Sequence, residues 1–327
     1  LSDSTKMSST ELGALWMTYH KKTMILRILE YFIEKADDEE AKNLMSGLWE
    51  QLHPNVLKIT SMFENEGAAI PQGFTKEDVN LEAPKLWENG FDIMFSRILK
   101  EISTGMYALH LTISYREDIV NFYKQLTEIT ENYYNLFTQY LLKKSILPRP
   151  NDVAMPKSID FITDKQYMKG TNILGHKRPL NTIEFGVLYR SLEGNITGMQ
   201  LMKGFAQCAK DEDVKKYFKK GMELSREILK ENEGVLLQNN IQPSTTSGGT
   251  VTSSTIAPFS EKLMMFCNYL LGSFSLGGQG FSATFLWRND LITRAGLQAK
   301  DVYEYTREGA MLMMTKGWLE EPPKMDL

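Results

Sequence analysis

The sequence predicts an all-α protein made of two tandem four-helix bundles, the second a copy of the first. Two observations carry that reading. Apolar residues recur every three or four positions over long stretches, while the eleven prolines and the Gly/Ser/Thr clusters gather between those stretches. The chain also repeats itself: Glu11-Leu-Gly-Ala-Leu-Trp16 returns as Glu184-Phe-Gly-Val-Leu-Tyr189, 173 positions later. At 327 residues the chain has the length of two domains of about 150 residues each.

Each element follows from its own pattern. From Glu11 to Lys35, apolar side chains at Leu12, Leu15, Trp16, Tyr19, Leu26, Leu29 and Ile33 put one face of a first helix against a core. Asp37 with Glu40 three residues on has capping-box spacing and predicts the start of a second helix. That helix runs through Leu44, Met45, Leu48, Leu52, Val56, Ile59 and Phe63 toward Gly67. Pro54 inside it lacks an amide hydrogen and crowds the carbonyl four residues back, so a kink or local break is expected there. After a loop to about Pro84, periodicity resumes from Phe91 to Ile113 as a third helix. Asp118 is expected to cap a fourth, closed beyond Ile146 by Leu147-Pro148-Arg149-Pro150.

The second half follows the same register. Asp38 corresponds to Asp211, Met45 to Phe218, Trp49 to Met222 and Val56 to Leu229. After a one-residue difference in a loop, Tyr115-Arg116-Glu117-Asp118 corresponds to Trp287-Arg288-Asn289-Asp290, and Gly105 to Gly277. Residues 1–150 are therefore expected as the first bundle and 151–327 as a linker with the second, the linker being Pro-rich from Pro148 to Pro156 and irregular to Pro179. The two repeats should pack as a pseudo-dimer. Ser244 to Thr255, almost wholly Ser, Thr and Gly, reads as a flexible connection.

Composition narrows the function classes. A formal charge of −4 argues against nucleic acid as a partner, because neutralising a phosphate backbone takes a basic excess. No stretch approaches the roughly 20 apolar residues of a transmembrane helix. Cys208 and Cys267 are too few for a disulfide framework, and Leu1 to Thr10 lacks the apolar core of a secretory signal, so a cytoplasmic setting is expected. Protein partners remain compatible with this composition.

One constellation could carry metal chemistry. Di-metal carboxylate bundles use a Glu from each of two helices and Glu-x-x-His from each of the other two. Glu50-Gln-Leu-His53 has that spacing on the second helix, and His20 lies at nearly the same height on the first, so that the two histidines could face each other. Glu101 on the third helix and Glu128 with Glu131 on the fourth complete a set able to surround one Fe, Mn or Zn ion or a pair. The competing reading makes all six residues solvated faces. In the second half they become Glu193, Glu223, Arg226, Ser273, Lys300 and Tyr303, which leaves no such site there.

The remaining features read as structural. Arg116/Asp118 and Arg288/Asp290 suit helix capping at a corner. Gly272, Ser273, Ser275, Gly277, Gly278, Gly280, Ser282 and Ala283 are an unusual density of small residues for a helix. Close packing of the two repeats is the first expectation, with an apolar ligand pocket beside Gly277 or a helix break as the alternative. The 18 methionines read as core filler and the two thiols as buried and inert, while His110 and His176 have no suggestive neighbours.

With the paired helix starts, the paired Arg–Asp corners and the Pro-ending repeats in view, the chain resembles the duplicated domain-of-unknown-function family 3231 of spore-forming bacteria. The resemblance spans residues 10–323 and implies a ferritin-like four-helix bundle in each half, related in fold to spore-coat proteins. It implies a non-enzymatic structural or interaction protein of the mother cell or spore and supplies no activity. The alternative is a metal-binding protein of the di-metal carboxylate type that uses the first bundle only.

Overall fold

Eight long helices carry the chain in a computed structural model that describes residues 5–170 and 177–325. The first repeat contains α1 (Ser9–Lys35), α2 (Glu39–Asn65), α3 (Phe91–Thr112) and α4 (Glu117–Lys143). The second contains α5 (Thr182–Cys208), α6 (Glu212–Gln238), α7 (Glu261–Ala283) and α8 (Asn289–Thr315). A shift of 173 residues carries α1 and α2 onto α5 and α6 end for end, and a shift of 172 carries α4 onto α8. No described helix is long and apolar enough to cross a membrane.

Local chemistry sets the helix ends. Ser8 caps α1 in a capping box with Glu11, and Asn181 does the same for α5 with Glu184. The cap of α2 is Asp38, whose side chain accepts from the Ala41 amide, and not the expected Asp37, which pairs with Lys85. Helix α2 continues unbroken through Pro54, contrary to expectation. The proline faces solvent, while Leu48, Leu52 and Ile59 anchor the helix on both sides of it, so burial offsets the one lost hydrogen bond.

The helix-start glutamates that mark the repeat have a second role. Buried Glu11 accepts from the amides of Tyr115 and Arg116 at 2.7 and 2.6 Å, tying the start of α1 to the α3–α4 corner. Glu184 does the same for Trp287 and Arg288, both at 3.1 Å. Burial alone would raise both carboxyls, yet they are held below the ordinary range, Glu11 by amide hydrogen bonds and Glu184 chiefly by Arg178. The expected Asp118 cap is thus corrected: the residue before α4 is Arg116, and Asp118 holds its guanidinium at 2.7 Å, as Asp290 holds that of Arg288.

The two repeats share one core. Ile25, Leu29 and Phe32 of α1 and Phe95 and Leu99 of α3 pack in the same apolar cluster as Leu201 and Phe205 of α5 and Met264 and Cys267 of α7. Separate clusters fill the far end of each repeat, around Leu15, Phe63 and Phe122 in the first and Leu192, Leu236 and Leu291 in the second. The Ser/Thr/Gly loop before α7 is not a free connection. Its strand β2 (Thr250–Val251) pairs antiparallel with β1 (Trp87–Glu88) of the first repeat, and Thr246 is buried. Trp87 also donates from its indole to the Gln200 carbonyl at 3.0 Å, in a space that Gly204 leaves free.

Candidate functional site

The fold scatters the six residues singled out for metal binding. On α2 the buried stripe is Met45, Leu48, Leu52, Ile59 and Met62, and Glu50 lies about 200° round the helix from Leu48, exposed. His53 stacks on Trp49 with ring centroids 4.7 Å apart. His20 is turned away from it: its Nδ1 meets the Trp16 carbonyl at 2.9 Å, and its Nε2 meets Glu320, beyond α8, at 2.8 Å. Glu320 also accepts the amides of Gln72 and Gly73, so His20 belongs to a clasp between the C-terminal segment and the first repeat. Glu101 pairs with Arg190 of α5 at 2.6 Å. Glu128 and Glu131 face solvent, because α4 buries Phe122, Tyr123, Leu126 and Thr130 instead. Among the described residues, no group of three or more His, Cys, Asp or Glu side chains is placed to hold a metal ion.

The interiors of the repeats differ far more than their helix ends. In the first, Lys21 and Lys22 of α1 and Lys100 of α3 are fully buried, with the Lys21 amine 3.7 Å from the centroid of the Tyr107 ring. The repeat register places Gly194, Asn195, Gly272 and Gln279 at these four positions in the second half. Leu48, Leu52 and Ile59 of α2 become Gly221, Ser225 and Asn232, and Tyr123 becomes Ala295. The lost side-chain volume opens a cavity of about 190 Å³ bounded by α5, α6, α7 and α8.

Amides and hydroxyls line this cavity together with Leu188, Ile228 and Val302. Asn232 donates to Ser191 at 2.9 Å, Gln298 to Asn232 at 3.1 Å, and Asn268 to the Tyr305 hydroxyl at 2.8 Å. The Gln279 carbonyl oxygen and the Arg294 Nε are buried at its wall without a partner. Burial pushes the Tyr305 phenol well above its ordinary range, so it stays protonated at physiological pH, while the Arg294 guanidinium brings a positive charge to the wall. Such walls suit binding through hydrogen bonds. Burial pushes both thiols up, Cys208 to about 11 and Cys267 further, and neither lines the cavity.

Arg190 stands at the mouth, held by Glu101 and lying 5.6 Å from the centroid of the Phe274 ring. A second groove, of about 570 Å³, lies between the repeats and shares Glu101, Arg190 and Gly194 with the cavity. Arg97 and Glu193 face each other there at 3.5 Å, and burial raises the Glu193 carboxyl.

The glycine-rich helix therefore does not serve mainly as a seam between repeats. Gly278 leaves room for the Arg190 guanidinium and Gly272 for Thr306 of α8, while Gly277 and Gly280 have open space beside them. The close inter-repeat approach falls on Gly105 of α3, against the Phe274 ring. Gly272, Ser275, Gly278, Ser282 and Ala283 line the cavity of the second repeat, in keeping with the pocket alternative, whereas Gly277 itself does not. The buried lysines were missed because lysine on a helix normally marks a solvated face. A sign was present in the sequence, since they fall within the register where the second repeat has Gly and Asn. His110 is buried beside Tyr123, and His176 lies outside the described residues.

Residues 1–159 and residues 168–326 each match the family described as Protein of unknown function (DUF3231). No curated protein and no solved structure matches the chain. Since the two matches together take in nearly all of its residues, the chain belongs to the DUF3231 family and carries the family's unit twice.

Proposed function

We propose that the protein is a non-enzymatic binding protein whose second repeat takes up a small amphipathic molecule, while the first repeat is a copy of the same fold with bulkier side chains at the corresponding positions. The replacement of Lys21, Lys22, Lys100 and Tyr107 by Gly194, Asn195, Gly272 and Gln279, which exchanges bulk and three amines for a cavity lined by apolar side chains and a few amides and hydroxyls, supports this reading. A cavity of ~150 Å³ accepts benzene, so about 190 Å³ suits a ligand of roughly six to ten non-hydrogen atoms. The family resemblance supports reading the bundles as ferritin-like and placing the protein in sporulating cells; immunoblots through sporulation check that setting.

Phenol, a ring with one hydroxyl, is a suitable probe. Calorimetric titration should give saturable binding to the wild type and none to Gly194→Leu, whose new side chain enters open space at the cavity wall. Equal binding to both proteins, or no saturable binding to the wild type, overturns the reading. Filling the cavity should also raise stability by about 1 kcal/mol in thermal denaturation of the ligand-free variant.

A further inference from the structure

The first repeat buries three amines for which the fold supplies no acceptor. Lys21, Lys22 and Lys100 are 1%, 0% and 0% exposed, and none of their Nζ atoms has a hydrogen-bond partner among the described residues. They are neighbours. Lys21 and Lys22 lie 3.7 and 5.4 Å from the centroid of one Tyr107 ring, and Lys100 sits two turns before Tyr107 on the same face of α3. Burial and mutual repulsion hold Lys21 and Lys22 well below the ordinary lysine range, and burial holds Lys100 at about 7.

The surrounding polar groups repeat the pattern. The Tyr107 hydroxyl, Ser96 Oγ, Thr130 Oγ1 and His110 Nε2 are also buried in this repeat without partners. Each of these amines and hydroxyls is able to donate, and the one carboxylate among the buried residues of the first repeat, Glu11, is engaged at the α3–α4 corner. Buried polar groups in folded proteins are nearly always paired, and leaving one unsatisfied costs about 1 to 3 kcal/mol. A bound group with several acceptor oxygens would satisfy the three amines and the Tyr107 hydroxyl together.

We propose that the Lys21–Lys22–Lys100 cluster binds a small oxyanion, a phosphate, sulfate or carboxylate group whose oxygens accept from the three amines and the Tyr107 hydroxyl. The amines take protons from solvent as the anion enters, so each negative charge is met by a new ammonium and the core gains no net charge. The second repeat has Gly194, Asn195 and Gly272 at these positions and lacks the amines. The two copies of the fold thereby select different chemistries, an anion in the first and an amphipathic molecule in the second.

Proton uptake makes this testable. Inorganic phosphate, sulfate and acetate are titrated into the full chain at pH 8 and constant ionic strength, in chloride buffers of different ionisation enthalpy. The expected result is saturable binding of at least one of these anions, with uptake of about one to two protons. It should be lost in Lys100→Met, which keeps side-chain length in an apolar form and preserves the fold, and retained in Lys124→Met on an exposed face. Preference for phosphate or sulfate assigns a tetrahedral oxyanion, and preference for acetate a carboxylate. No saturable heat from any of the three, heat independent of the buffer, or binding that survives Lys100→Met overturns the proposal. A mass increase on borohydride treatment, trapping an imine at one of these lysines, would reassign the cluster to a carbonyl compound and overturn it equally.

Discussion

Lys100 makes the stability of the first repeat depend on pH in an unusual direction. With its folded-state value at about 7 against an ordinary 10.5, the unfolded chain binds the extra proton between those limits, so stability rises with pH across that window. Lys21 and Lys22 act in the same sense, as does His110 at lower pH, lowered to about 4 by burial and by Lys21. Tyr107 and Tyr123, raised by burial, oppose the trend only where free tyrosine would ionise, above about pH 10. In chemical denaturation Lys100 alone should contribute a gain on the order of 3 kcal/mol from pH 7 to 9.5, with Lys21 and Lys22 adding to it, and Lys100→Met should be more stable at pH 7 with a flatter profile. The opposite slope would place charged amines in the core. Glu184 sits at the other electrostatic extreme: it is fully buried, paired with Arg178 at 2.7 Å and bonded to the Trp287 and Arg288 amides. Glu184→Ala should cost about 2 to 3 kcal/mol in urea denaturation, since it leaves the Trp287 and Arg288 amides without their acceptor and removes the carboxylate partner of half-buried Arg178.

At the scale of elements, the helices were legible in the sequence and the contacts between repeats were not. The periodicity of Leu12, Leu15, Trp16 and Tyr19 sets one face of α1, yet the stretch from His20 to Leu26 is buried on every side because α7 and the C-terminal segment cover its other face. A local pattern cannot show that second burial, and for the same reason Lys21, Lys22 and His20 were not read as core. The loop before α7 misled in the opposite way. Its Ser/Thr/Gly composition reads as flexible, but Gly248 and Gly249 adopt φ of 73° and 77° to bring β2 against β1 of the other repeat. Gly249→Val would meet the Phe91 Cβ at 2.6 Å in a left-handed conformation. It should cost about 2 to 3 kcal/mol and increase amide exchange at Trp87 and Val251, measured by hydrogen–deuterium exchange.

Across the whole molecule, duplication explains both what the repeats share and what separates them. The Glu11 and Glu184 corners and the coincident helix ends preserve one backbone, and their signature was visible in the paired motifs. The structure does not bring the metal candidates together, because one-turn spacing places Glu50 and His53 on a common face without saying whether that face is inside. Because α1 and α3 share a core with α5 and α7, the two repeats should unfold in one transition, with coincident fluorescence and circular dichroism midpoints; two separated midpoints would show independent bundles. The divergence of the interiors carries the functional reading, and native mass spectrometry of the protein isolated from its own cells tests it most directly. The expected spectrum of the wild type shows a small organic adduct that is released on denaturation and absent from Gly194→Leu expressed in the same cells. Identical adduct-free masses for both proteins, or an adduct that persists in Gly194→Leu, would contradict a ligand chamber in the second repeat.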